Sequence, residues 1–195
     1  MADTKTIIGG LAVLVQLASY IPYFWGMAKG KTKPHAFTWF VWGTLNAVAF
    51  GAQIVSGAGP GSWVLGVNMV LLYVIAAIGI KQGHVKYVLF DWLALSGALL
   101  AILLWWLTSN PLTAVILVCF SDAIGFLPAF RKAYFYPLEE NVTAYIVGIP
   151  YYLISLFALE TFILTNWLYP VVIVILDAIF IALILVRRIK SRQAT

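Results

Sequence analysis

Charge is what this chain of 195 residues has least of: Asp, Glu, Lys and Arg together make up only 10%. An ordinary soluble domain carries roughly 25% charged residues, so a water-facing surface of normal size cannot be built from this composition. There is one cysteine, Cys119, which excludes an intrachain disulfide and a cysteine-based metal site. The two histidines, His35 and His84, both fall in basic connections between apolar stretches, so no intramembrane histidine is left for a rhomboid-like dyad or a zinc protease. Gly26-Met-Ala-Lys-Gly30-Lys31-Thr32 has one residue too few between its glycines for a phosphate-binding loop, and it follows an apolar helix instead of a strand. With no nucleophile–base pair and no metal cluster, neither an enzyme nor a bound cofactor is expected.

Apolar residues, by contrast, reach 63% and mean hydropathy is +0.98. That reads as an integral membrane protein whose first partner is the lipid bilayer. The net charge of +5 then calls for a topological explanation and not for nucleic acid. Runs of about 20 apolar residues, the length that crosses a hydrocarbon core of about 30 Å, occur seven times. They cover Thr6 to Met27, Ala36 to Val55, Trp63 to Ile80, Tyr87 to Leu107, Pro111 to Lys132, Val142 to Ala158 and Ile163 to Val186. The first run is too long for a signal-peptide core and is read as retained.

Basic residues sort these spans. Lys29, Lys31, Lys33, Lys81, Lys86, Arg131, Lys132, Arg187, Arg188, Lys190 and Arg192 all fall on one side of a seven-span arrangement, with Lys5 alone on the other. Because Lys and Arg accumulate in cytoplasmic loops, the N-terminus is expected outside and the C-terminus in the cytoplasm, in the plasma or inner membrane. The sequon Asn141-Val-Thr143 then lies on the cytoplasmic side. Trp63, Trp105, Trp106 and Trp167 mark the outer interface. Trp25, Trp39 and Trp42 mark the inner one, with Trp39 and Trp42 also candidates for a pocket or gate.

An offset of 106 residues aligns Ser19–Lys29 with Gly125–Phe135, pairing Pro22 with Pro128, Phe24 with Phe130, Gln16 with Asp122 and Trp39 with Tyr145. Spans one to three therefore repeat as spans five to seven. Each unit holds an odd number of helices, so one further helix is needed for both units to face the same way. The expected fold is all-α: seven transmembrane helices, in two parallel three-helix repeats joined by an inverter helix. The first bundle takes residues 1–86, the inverter 87–110, and the second bundle with its basic tail 111–195.

The residues Ile21-Pro22-Tyr23 and Leu127-Pro128-Ala129, each followed by a short basic connection, resemble the PQ-loop superfamily of SWEET and SemiSWEET sugar transporters, lysosomal amino-acid exporters and the KDEL receptor. Tyr23 and Ala129 stand where that motif has its glutamine. The resemblance implies two three-helix bundles around a central solute path, with Asn68 matching a solute-contacting asparagine in the third helix of a repeat. Its counterpart in the second repeat is Val174 by strict spacing, or Asp177 if the loops differ by three residues.

Side-chain chemistry points to the same depth. Ionisable groups at a helix centre are costly and are functional candidates by default. Asp122 and Asp177 sit near the middle of spans five and seven, whereas Asp91 is near enough to the end of span four to reach the interface. Two readings of Asp122 and Asp177 stand side by side: hydrogen-bonded interhelical glue, or groups that line a solute path and are available for proton coupling. Gln16, Asn46, Asn68, Asp122, Asp177 and Tyr151 are the candidate solute-binding residues, and Pro22, Pro128 and Pro150 the candidate hinges. Gly43, Ala47 and Gly51 form a small-residue stripe for close helix packing. The expected activity is alternating-access movement of a small polar solute, sugar or amino-acid-like. The alternative is a receptor or cargo-binding protein on the same scaffold. One chain holds both repeats, so a path needs one copy, and a homo-oligomer stays open.

Overall fold

A computed structural model describes residues 3–83, 89–138 and 142–193; of the features noted above, His84, Lys86, Tyr87 and Asn141 lie outside the described residues. The chain forms α1 (Thr4–Ala28), α2 (Ala36–Val55), a 3₁₀ turn (Gly59–Ser62), α3 (Trp63–Lys81), α4 (Leu89–Thr108), α5 (Pro111–Phe135), α6 (Thr143–Phe157) and α7 (Leu164–Gln193). The described residues contain no strand. The seven expected spans and the helices coincide to within a few residues, except that α7 continues as helix through Arg187, Arg188 and Lys190.

Five of these helices, α1, α3 with its leading turn, α4, α5 and α7, are long and apolar enough to cross a membrane. The other two fall short for different physical reasons. α6 has 15 residues and spans about 22 Å. α2 has 20 residues but carries Thr38, Thr44, Asn46 and Gln53, which lower its hydropathy. It can do so because it packs against α3, α4, α5 and α7 and buries Val41, Leu45, Val48, Ala49 and Ala52, so protein surrounds it instead of lipid.

Helix neighbours follow one pattern twice. α3 packs against α1 and α2, and α7 packs against α5 and α6. Across the middle, α1 meets α6 and α2 meets α5, while α4 lies against α5 and α2. The shared core joins Leu45, Val48 and Leu65 from the first three helices to Val115, Val118, Tyr152, Tyr169 and Ile173 from the last three. Apolar side chains such as Leu14, Ile21, Trp106, Phe120 and Ile179 are exposed on the outside of the bundle, where a membrane protein meets lipid.

Local signals explain the helix ends. Asn110 caps α5, its side-chain oxygen accepting from the Leu112 N–H at 3.0 Å, with Pro111 at the first helical position. In the connection from α2 to α3, Gly57 and Gly59 adopt φ of +67° and +60°, a region that favours glycine. A side chain at Gly59 would run into Glu160, and one at Gly61 into Leu159, so this loop lies directly on the α6–α7 connection.

Pro22, Pro128 and Pro150 all lie inside continuous helices, as does Pro170 in α7, which the sequence reading did not single out. Pro22 and Pro150 face outward. The small-residue stripe of α2 faces two neighbours: Gly43 accommodates the Tyr73 ring of α3, and Gly51 the Trp105 ring of α4. Rings, not a helix backbone, fill the space the glycines leave.

Candidate functional site

Polar side chains from both halves of the chain meet inside the bundle. Asn68 of α3 is the hub: its amide nitrogen donates to Asn46 Oδ1 at 3.1 Å and to the Tyr152 hydroxyl at 3.1 Å, and its oxygen accepts from the Tyr20 hydroxyl at 2.7 Å. Asn46 of α2 in turn donates to the Trp42 carbonyl at 3.0 Å and to the Tyr169 hydroxyl at 3.2 Å. The Tyr169 hydroxyl donates to Asp122 Oδ2 at 2.7 Å. A chain of hydrogen bonds thus runs from α1 through α3 and α2 to α7 and α5. All of these groups except Tyr20 are at most 5% exposed or nearly so, and each would be costly to bury alone.

Of the six candidate solute-binding residues, this network joins Asn46, Asn68 and Asp122. Tyr151 stands at its edge, its ring 4.7 Å from that of Tyr152. Asp177, one side chain further into α7, faces Gly148 of α6 and lies within electrostatic reach of Asp122, Tyr151 and Tyr152. Gln16 sits apart: it is fully buried and donates to the Val64 carbonyl at 3.0 Å, which ties α1 to the start of α3. Val174, the strict-spacing counterpart of Asn68, packs on the apolar core. Asp91 differs from its expected reach to the interface. It is buried between α4 and α2 and accepts from the Thr38 hydroxyl at 2.9 Å, because α2 covers that face of α4.

Two members of the network, Tyr20 and Tyr169, were not singled out from sequence. Tyr20 follows Gln16 by one helical turn and so shares its face. Tyr152 occupies the position that the 106-residue offset pairs with Asn46. Tyr169 carries no such signal; it stands beside Pro170 in an otherwise apolar run, and only the packing of α7 against α5 brings it to Asp122.

The two ends of the bundle are closed differently. At the end holding the N-terminus, the α6–α7 connection is bonded to the α2–α3 loop. Thr161 donates to the Ser56 and Gly57 carbonyls at 2.8 and 2.7 Å, Asn166 to the Ser56 carbonyl at 3.1 Å, and the Glu160 N–H to the Ala58 carbonyl at 3.0 Å. Gln53 donates to the Asn166 carbonyl, and Lys5 to the Phe157 carbonyl at 2.8 Å. We refer to this as the latch end.

The opposite, basic end is packed with rings. Trp39 lies between Tyr23 and Trp42 at centroid distances of 5.0 and 5.4 Å, Trp42 meets Phe126 at 6.4 Å, and Phe126 meets Phe130 and Tyr145 at 6.1 and 6.2 Å. Trp39 and Trp42 are therefore inside this cluster, whereas Trp25 and Trp106 are exposed as interface residues are. Arg187 and Arg188 donate to the Tyr134 and Pro137 carbonyls, fastening the end of α7 to that of α5.

Comparison with known proteins adds nothing to this geometry: no family model, no curated protein and no solved structure matches the chain. Among the described residues, no cluster of His, Cys, Asp and Glu could hold a metal ion.

Proposed function

We propose that this chain is a seven-helix carrier of PQ-loop type that moves a small polar solute across a membrane by alternating access. The observation that carries the reading is the buried polar network at the contact of the two helix triplets, where Asn46 and Asn68 meet Tyr152, Tyr169 and Asp122. Placing so many hydrogen-bonding groups in an apolar bundle is expensive unless they serve a solute or hold helices in register. The helix neighbours support a solute path. Exchanging the first triplet for the second turns the α1–α6 contact into α5–α2, and both contacts are present. Aromatic residues at the head of α2 and α6 repeat as well, Trp39 against Tyr23 and Tyr145 against Phe126.

On this reading α4 is the inverter, the basic end is cytoplasmic, and the latch end faces outward. Pro22, Pro128 and Pro150 each remove one backbone bond from a helix that changes its tilt in the stroke. Solute passes between the two triplets, and Asn46, Asn68, Asp122, Asp177 and Tyr151 meet it there. Gln16 acts one layer nearer the latch end.

Uptake into proteoliposomes tests the reading. Saturable uptake of a labelled small solute is expected, together with a drop of roughly tenfold for Asn68→Ala, since leaving buried partners unsatisfied costs about 1–3 kcal/mol. Binding of a ligand with no flux, in folded and reconstituted protein, would replace the carrier with a receptor on the same scaffold.

A further inference from the structure

The two carboxyl groups of the core are held differently. Asp122 takes the Tyr169 hydroxyl, whereas Asp177, only 5% exposed, receives no hydrogen bond from any described residue. Its Oδ2 lies over Gly148, where a methyl group would stand 3.1 Å from the oxygen and 3.7 Å from the Tyr151 hydroxyl. Glycine at this position keeps the approach to the carboxylate clear. The Tyr151 hydroxyl shares that side of Gly148 with the carboxylate, and Tyr20 and Tyr152 lie within electrostatic reach of Asp177.

Donor and acceptor capacity decides what could enter. The Asn46 amide spends its two hydrogens on the Trp42 carbonyl and Tyr169, and that of Asn68 on Asn46 and Tyr152. Apart from the hydroxyls of Tyr151 and Tyr152, what is left over is acceptor capacity: both oxygens of Asp177 and the second oxygen of Asp122. Among the described residues no cation meets it, because Lys5 is engaged at the latch end and the other Lys and Arg lie beyond the helix ends or within their last two turns at the basic end. A buried carboxylate that no described residue bonds, with tyrosine side chains nearby, fits a donor-rich positive group, which the acid meets through N–H bonds or charge and a ring face through its quadrupole.

Resting on the carrier reading above, we infer that the solute is a small organic cation bearing an ammonium group, held by Asp177 between the rings of Tyr20 and Tyr151 at the Gly148 face of α6. Sugars and anions lack the charge this site is built to accept.

The test uses the full chain in proteoliposomes under an inside-negative potassium diffusion potential, with labelled choline and ethanolamine as cationic probes, glucose and alanine as neutral or zwitterionic ones, and lactate as the anion. Expected is saturable choline or ethanolamine uptake roughly tenfold above that of glucose, falling roughly tenfold in Asp177→Asn. Gly148→Ala, which keeps the charge and narrows the space, should weaken choline uptake more than that of the smaller ethanolamine. Uptake of glucose, alanine or lactate that Asp177→Asn leaves unchanged would overturn the cation assignment while the carrier reading stands. An equal effect of Gly148→Ala on both cations would remove the site from this face. Flux of no probe would overturn the carrier reading itself. Equilibrium dialysis of choline and ethanolamine against the purified protein then decides the site: binding lost in Asp177→Asn upholds it, and no binding sinks it.

Discussion

The latch end and the basic end both join the first helix triplet to the second, yet they do so with different physics. At the latch end the joint is directional, made of Thr161, Asn166, Gln53 and the Glu160 N–H on named carbonyls, with the glycine loop pressed against Leu159 and Glu160. At the basic end the joint is a stack of rings centred on Trp42 and Phe126. A directional bond is lost outright when its partners shift by an ångström, whereas rings in contact slide with little loss. On the proposed carrier reading, an alternating-access stroke would meet a sharp barrier at the latch end and a soft one at the basic end.

Three substitutions bear on this difference. The largest effect is expected for Gly59→Val, which combines a positive φ with a collision against Glu160. The strained backbone costs about 1–3 kcal/mol and the exposed Glu160 side chain must move aside, so the purified variant should melt below the parent by tryptophan fluorescence; an unchanged melting temperature would mean that the loop does not hold this backbone conformation.

Asn166→Leu comes next. It keeps the volume but removes the two amide hydrogens that Asn166 shares among the Ser56 carbonyl and the carbonyl and hydroxyl of Thr161. A loss of about 1–3 kcal/mol is expected, with faster thiol labelling of a Ser62→Cys reporter made in a Cys119→Ala background, because Ser62 is buried beneath the latch. The smallest effect belongs to Phe126→Leu at the ring stack. It keeps an apolar side chain of similar volume against Trp42 and should cost less than about 1.5 kcal/mol, without altering labelling of the same reporter. Equal labelling in the two variants would erase the contrast between the ends.

Much of the fold was legible in the linear sequence because bilayer physics writes it there. Helix spans follow from apolar runs, and α2 begins and ends at Ala36 and Val55 as its hydropathy and turn signals indicate. Asp122, Asp177, Asn46 and Asn68 stood out because polar groups in apolar runs are rare. Tyr169 did not, since a tyrosine in a membrane helix is ordinary and nothing local names its partner. The buried placement of Asp91 was missed for a related reason: distance from a helix end says how far a side chain could reach, but not which neighbour covers it. The latch residues Gln53, Thr161 and Asn166 lie in or beside connections, where polar residues carry no signal at all.

The sequence by itself determined that this is a bundle of apolar helices, where most of them begin and end, and that basic residues gather at alternate connections. Those properties depend on residue type and spacing, which a chain carries before it folds. Only tertiary structure decided which polar groups satisfy one another, that Asp177 receives no donor among the described residues, and that one end is fastened by bonds and the other by rings. Such outcomes depend on contacts between residues far apart in the chain, such as Asn68 with Tyr152 and Asn46 with Tyr169. Nothing in the composition of either segment specifies its partner.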